Sequence, residues 1–592
     1  TSLFANKAIP IKGQRSYWAG LNSAEQSLAI ANQSRNAPGL VVVMAPDSQS
    51  ASRLMDELQF FHPTQPLLSF PEWETLPYDQ FSPHQDIISE RLKTLYQLPT
   101  IQQGILVLPV STLIQRIVPH DYIQKFTFLL STGDTLENED FTRKLESGGY
   151  QRVSQVMEHG EFAIRGSIID LFPMGSKRPF RLDLFDNEIE TIRSFDPETQ
   201  RSINTIYKIQ LLPAKEYDFT PEGIHLFRQK FKQQFGDESG QTQIYKEVSQ
   251  ANAVGGLEYY LPLFHEGLTS FFDYLPEDAT FFEMGDLEQN IDIVLHEYDE
   301  RYEIGQHNPD FPILKPHDLI LNKTEFLTEL KNQHRITLQA VPTANSTIVF
   351  NTLSLPDLSI QANSDYPLAK LNAFCDQTKN RIIYSAESTG RRETLLSLLV
   401  KHKQKPSLVH SWEEALLSKA AYTILVSPLE MSIHTAQISV ICEAQIFGQT
   451  VVQKRRRKRK HNDFEAAVNN LIELDIGSPI VHIDHGVGRY QGLQTLDLQG
   501  ESREFLMIEY ADESKLYVPV TSLHLISRYS GASPETAPLH KLGSDRWEKA
   551  KRKAAEKVHD VAAELLDIYA QREARPGYAF KTSDEAYLRF AS

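Results

Sequence analysis

At 592 residues the chain is long enough for roughly four domains, and a composition of 41% hydrophobic and 23% charged residues supports several packed cores. A formal charge of −17 excludes a globally basic nucleic-acid binder, so any phosphate contact needs a local patch. Two cysteines, Cys375 and Cys442, exclude a disulfide framework and, with no CxxC, a zinc site, and they fit a reducing cytosol. No run of eighteen apolar residues is present to span a membrane. Residues 1–20 hold no signal-peptide core and no initiator Met, which reads as a chain trimmed at that end.

Residues 16–31 read as a helix. Gly39 then leads into the apolar run 40–44, a buried parallel strand by its length and β-branching. Gly104–Pro109 repeats the pattern and is followed by a helical stretch at 111–114. Strands alternating with helices predict an α/β sheet of the nucleotide-binding kind. An ATP site there needs GxxxxGK[ST], whose amides and lysine cradle the phosphates. No Gly-Lys dipeptide occurs in the chain. The nearest stretch, residues 20–25, places Glu25 where a phosphate would sit, and a second anion at that helix start would be repelled. The reading is a nucleotide-binding fold without its nucleotide. Within residues 73–98, Ile88, Leu92, Leu95 and Tyr96 make one face of an amphipathic helix, and the Pro-bounded turn 77–83 before it reads as a tight connection.

Residues 160–203 change texture to short alternating runs, punctuated by Pro-Met-Gly-Ser and Asp186-Asn187. Phe180, Leu182 and Leu184 point one way; Arg181, Asp183 and Phe185 point the other. With the first set in the core, an arginine and a phenylalanine share the wet face, two residue types enriched at binding hot spots. The alternative is that Phe185 bends inward before the turn. Residues 221–250 read as helical, and the aromatics of 255–264 as core filling rather than base stacking.

Punctuation at 342–354 marks a boundary. Strands follow at 381–386, Tyr422–Val426 and Ile438–Cys442, and Ser388 with Arg391 starts a helix as a cap rather than a phosphate site. Glu443 resembles the metal-binding acid of a nucleotide fold but has no phosphate loop to serve, so this part reads as a spacer domain. Seven consecutive cations at 454–460 form a flexible basic linker with a nonspecific pull on phosphates. From Gly477 short strands arrive about every ten residues, the spacing of a small barrel. His482, Asp484 and His485 do not converge on a metal because alternate side chains diverge, and Gly486-Val487-Gly488 is too little for a dinucleotide. Asp545 to Glu548 makes a capping box, and Ala554, Val558, Val561, Leu565 and Ile568 then share one face of a helix about 40 Å long.

Residues 73–98 with 158–203 resemble the N-terminal module of the Mfd family of bacterial transcription-repair coupling factors, itself similar to the excision-nuclease subunit UvrB. HGVGRY and KLYVPV, in the part after Gly477, resemble the Tudor-like RNA polymerase-interacting domain shared with CarD-type regulators. The resemblance implies a degenerate RecA/UvrB-like nucleotide-binding fold with a β-rich insert, a second α/β domain, a small Tudor-like β-barrel and a long C-terminal helix. It divides the chain at 1–125 (UvrB-like segment), 126–212 (UvrA-binding insert), 213–345 (the rest of that module), 346–452 (spacer), 453–475 (basic linker), 476–544 (polymerase-binding domain) and 545–592 (helix leading to an absent translocase motor). It implies docking of the damage sensor UvrA on Arg165, Arg181 and Phe185, and addition of the strand 493–498 to the RNA polymerase β subunit with Leu496 as a contact. No catalytic residue, cofactor or metal is expected in this segment. ATP, Mg and double-stranded DNA would belong to the motor, an ATP-dependent translocase of the helicase family, in a cytoplasmic protein. The alternatives are a UvrB-like damage-verification subunit, opposed by the absent phosphate loop and by a 77–83 turn too short for a strand-separating hairpin, and a CarD-like regulator, which leaves the first 450 residues idle.

Overall fold

The computed structural model describes residues 4, 7–197, 199–360 and 366–447, then 477, 479–482, 485–498, 501–511, 514–519, 526–528, 539 and 541. The basic run 454–460, Asp484 and the helix expected after Asp545 lie outside the described residues. The chain divides into two compact units, Thr1–Val451 and Val452–Ser592.

The first unit is built on seven parallel strands, in the order Ile348–Val349, Arg15–Ala19, His334–Gln339, Thr280–Met284, Leu40–Ala45, Gly104–Pro109 and Leu67–Ser69. Leu40–Ala45 and Gly104–Pro109 are buried at every position. Covered on both faces, they read as continuous apolar runs. The helix expected over 16–31 is divided. Arg15–Ala19 is a strand, and helix α1 (Ser23–Ser34) starts only after a turn. At that turn Gly20 has φ +83, and a Cβ there would stand 2.9 Å from the Phe350 carbonyl oxygen, so the chain turns where only glycine fits. The ladders offered by His334–Gln339 and Ile348–Val349 decide the strand, and both lie more than 300 residues away.

Helices α2 (Ser48–Phe61) and α3 (Gln85–Gln97) follow. As the period predicts, α3 buries Ile88, Leu92 and Leu95, and it buries Ile87 too. It also buries Arg91. Arg91 Nε donates to Glu216 Oε1 at 2.7 Å, Nη1 to the Pro71 carbonyl at 2.9 Å and Nη2 to Gln115 Oε1 at 3.0 Å. The guanidinium lies 4.1 Å from the Phe70 ring centroid. Trp73 Nε1 donates to the other Glu216 oxygen at 2.9 Å. Buried ions are tolerated when paired and hydrogen-bonded, and here each guanidinium nitrogen has a partner.

Between the strands at 104–109 and 280–284 the chain builds a second sheet. Its strands are β1 (Gln151–Arg152), β2 (Glu161–Arg165), β3 (Ile168–Leu171), β4 (Phe180–Phe185), β5 (Glu188–Phe195) and β6 (Ser202–Ile206), side by side in chain order. β1 and β2 run parallel and the rest antiparallel. Phe162, Ile169, Leu171, Leu182, Leu184 and Ile192 join the same core as α3. The sheet rests on α3 through polar contacts as well. Asp86 Oδ1 lies 2.8 Å from His159 Nδ1, and Ser89 Oγ accepts from Gly175 N at 2.8 Å. Tyr259, Tyr260 and Phe264 fill this core.

Residues 369–447 form a five-stranded sheet in the order Ser407–Leu408, Tyr422–Val426, Arg381–Ala386, Ile438–Cys442 and Ile433–His434. Its side chains share a core with α1 and α2, with Trp412 and Phe61 ring centroids 5.1 Å apart. Ser388 caps the helix Thr389–Lys401 by accepting from Arg391 N at 3.3 Å, and Glu443 pairs with Arg391.

The second unit holds an antiparallel sheet: β7 (Pro479–His482), β8 (Gly486–Leu498), β9 (Glu501–Glu509), β10 (Lys515–Pro519) and β11 (Ile526–Arg528), in the order β10-β9-β8-β7-β11. Ile480, Leu506, Ile508, Tyr510, Val518 and Ile526 make its core.

Arg91→Ala leaves Glu216 buried without its partner, and such removals cost about 3–5 kcal/mol. Urea denaturation followed by tryptophan fluorescence checks this: the variant's midpoint is expected well below that of the wild type.

Candidate functional site

An anion in a nucleotide-binding sheet sits at a helix N-terminus. At the start of α1 that place is filled by the protein itself. Asn22 Oδ1 accepts from Glu25 N at 3.0 Å, and Glu25 Oε2 accepts from Asn22 N at 2.9 Å, a closed capping box. Asn22 Nδ2 donates to the Ser432 carbonyl at 2.9 Å, and His434 N reaches Glu25 Oε1 at 3.5 Å. Burial pushes the Glu25 carboxyl above its ordinary value. The helix dipole is therefore met by Glu25, and the edge strand Ile433–His434 and Ser432 beside it close over the place. Between α1 and α2, Glu57 is fully buried and accepts from Ser27 Oγ and from Arg53 Nη1 at 3.2 Å.

The outer face of the second sheet brings the sequence-predicted residues together. The alternation over 180–185 holds: Leu182 and Leu184 are buried, and Phe185 is 72% exposed at the end of β4 rather than bent inward. Asp186, with φ +52, starts the two-residue turn into β5. Asp170 on β3 stands opposite Arg181 on β4 and Ala163 on β2. Arg181 forks it, Nε to Oδ1 at 2.7 Å and Nη2 to Oδ2 at 2.9 Å, and Arg165 Nη2 donates to Oδ2 as well. One row along the strands, Asp183 accepts from Thr191 Oγ1 at 2.7 Å and from Arg193.

The face is not uniformly wet, as alternation alone predicts. Val156, Ala163, Phe172 and Phe195 form a small core of their own on it. Arg181 lies 4.9 Å from the Phe195 ring centroid and donates from Nη1 to the Gln200 carbonyl at 3.3 Å. Its side chain is only 18% exposed, against 46% for Arg165. Sequence reasoning placed Arg181 on the correct face and overstated its exposure, because Phe195 and Gln200 close over it. Reasoning from the sequence also missed Asp170 and Arg193. The signal present was an Asp in an apolar run, placed to face an Arg across the Pro-Met-Gly-Ser turn.

In the second unit, β8 pairs with β7 only through Arg489, while its other side follows β9 out to Leu498. From Gln491 to Leu498, one edge of β8 has no strand partner among the described residues. Leu496 lies on this stretch, opposite Arg503. Its side chain is outside the described residues, and Leu493 is 55% exposed. No cluster of potential metal ligands occurs among the described residues.

Three domain families match the chain. Residues 128–217 match the UvrB interaction domain, 374–446 the D3 domain of MFD and 474–530 the CarD-like/TRCF RID domain. The insert sheet, the second α/β sheet and the C-terminal antiparallel sheet therefore each fall within one of these matched segments. The resemblance read from the sequence is borne out nearly end to end. The chain is 45% identical over 96% of its length to a transcription-repair-coupling factor of Haemophilus influenzae, 43% over 98% to one of Escherichia coli and 27% over 97% to one of Bacillus subtilis. It covers 50%, 51% and 50% of those proteins, so it spans about half the length of the curated relatives it matches.

Burial raises the Glu57 carboxyl to about 7, against the opposing pull of Arg53. Unfolded, the group titrates near 4.5. Between these values the folded state keeps a proton that the unfolded state has lost. The group's stabilisation is thus full below pH 4.5 and is lost as pH rises through 7. Glu57→Gln is expected to stabilise the first unit at pH 8 by up to about 3 kcal/mol and to change little at acid pH. Thermal unfolding across that range checks the sign: a gain confined to acid pH would contradict it.

Proposed function

We propose that this chain is the recruiting half of a transcription-repair coupling factor, acting in nucleotide excision repair of transcribed DNA. Its insert sheet docks the damage sensor UvrA, and its C-terminal sheet grips stalled RNA polymerase. The observation that carries the reading is the outer face of the insert sheet. Within a segment matching the UvrB interaction domain, Arg165 and Phe185 stand exposed on a rigid sheet that the fold uses for no chemistry.

On this reading the central sheet is a RecA-like frame kept as a scaffold, since Glu25 and Asn22 fill the place of a phosphate. The C-terminal sheet is a Tudor-like module, and its β8 edge, without a strand partner among the described residues, adds to a strand of the polymerase β subunit. Strand addition draws affinity from main-chain bonds and specificity from alternate side chains, and Leu496 supplies one of those contacts. The remaining half of the longer protein would carry the motor. It would bind ATP, Mg and double-stranded DNA, hydrolyse ATP and translocate to push polymerase off a lesion. The place of work is the cytoplasm. An excision-nuclease subunit would need the phosphate loop that the sequence lacks.

Arg181→Ala with Phe185→Ala, which removes an exposed aromatic together with an arginine that orders the face, is expected to weaken UvrA binding more than about a hundredfold, while the melting profile keeps its cooperative transition. Calorimetry giving wild-type affinity would overturn the docking assignment. Leu496→Arg is expected to abolish capture of RNA polymerase in a pull-down and to leave UvrA binding intact. Undiminished capture would end the edge-strand assignment.

A further inference from the structure

Arg165 and Arg181 share one buried acid, and they share it unequally. Asp170 is completely buried, and its two oxygens receive three guanidinium hydrogen bonds, two from Arg181 and one from Arg165. Arg181 spends a third donor on the Gln200 carbonyl and stacks on Phe195. A guanidinium has five N–H donors, so Arg181 keeps two, on a side chain mostly covered. Arg165 makes one hydrogen bond among the described residues, and nearly half of its side chain is exposed. Four of its donors remain for a partner.

We infer that Asp170 is the positioning residue of the docking face, holding the Arg165 guanidinium where the partner meets it, with Arg181 as its second anchor rather than a contact. The inference rests on the reading of this face as the UvrA site. A free surface arginine loses about 0.5–1.5 kcal/mol of rotamer freedom when a complex forms. Pairing with a buried carboxylate makes that loss part of folding. The Asp170 carboxylate is itself fixed by the register of β3 against β2 and β4, so the fork stands at a defined place on a rigid sheet. What Arg165 still presents is a planar set of donors matched to a carboxylate. The partner is therefore expected to bring an Asp or Glu to this point, with an apolar pocket beside it for Phe185.

The test is a double-mutant cycle read by calorimetry with purified UvrA. Asp170→Asn is expected to weaken binding about tenfold, as is Arg165→Gln. The double variant is expected within about twofold of Arg165→Gln alone, because positioning has no value once the positioned group is gone. A merely structural Asp170 would give losses that multiply to about a hundredfold, and that result would overturn the inference. Wild-type affinity in Asp170→Asn would overturn it too. Arg181→Lys cannot fork Asp170 or stack on Phe195; in an Asp170→Asn background it is expected to add less than about twofold, and a further loss of about tenfold there would make Arg181 a contact and defeat its assignment as an anchor. If Asp170→Asn melts below the assay temperature, Asp170→Glu takes its place in the cycle, with the same criterion. Should Arg165→Gln and Phe185→Ala both bind as wild type, the docking reading itself falls, an outcome distinct from failure of the Asp170 assignment alone.

Discussion

The first unit depends on the buried pair Arg91–Glu216. Arg91 belongs to α3, beside the central sheet, and Glu216 follows the insert where the chain returns. Between them the chain adds the frame strand 104–109, leaves the frame, builds the six-stranded insert sheet and comes back. The ion pair, the Trp73 indole on the same carboxylate and the Gln115 amide on the same guanidinium fix that return at one point. Aromatic faces cover the guanidinium at Phe70 and Trp73. Breaking a buried pair costs more than making it gains, because one charge is left without solvent or partner. The pair therefore acts as a constraint on register between insert and frame rather than as a large source of stability.

With that seam set, the seven-stranded parallel sheet serves as a scaffold. A helix N-terminus beside parallel strands attracts an anion whatever its source. Here the anion is Glu25, and the second α/β sheet closes over it through Ser432 and His434. The same carboxylate thus also supplies a junction between two sheets, whose side chains merge into one core with α1 and α2. Residues 369–447 are bound into the frame by that core.

The insert's outer face shows the same economy of charge. Three arginines, Arg165, Arg181 and Arg193, meet two carboxylates, Asp170 and Asp183, across adjacent strands. Opposite charges on neighbouring strands stabilise a sheet modestly. Their larger effect is to hold long side chains still. Held, partly satisfied arginines beside an exposed aromatic have the character of a hot spot.

What the sequence alone determined was set by short-range periodicity and by motif chemistry. Fully apolar runs announced the central strands at 40–45 and 104–109, because both faces of a parallel strand are covered. Strict alternation put Arg181 and Phe185 on one face and Leu182 and Leu184 on the other. The missing Gly-Lys excluded a phosphate loop. Only the tertiary structure decided the rest. Arg15–Ala19 became a strand because distant ladders were available to it. Arg91 went inside because Glu216 arrives there from 125 residues away. Asp170 and Arg181 were withdrawn from water by segments that local pattern could not place. Periodicity says which way a side chain points; what lies there to meet it depends on residues far along the chain, and that is settled only when the chain has folded.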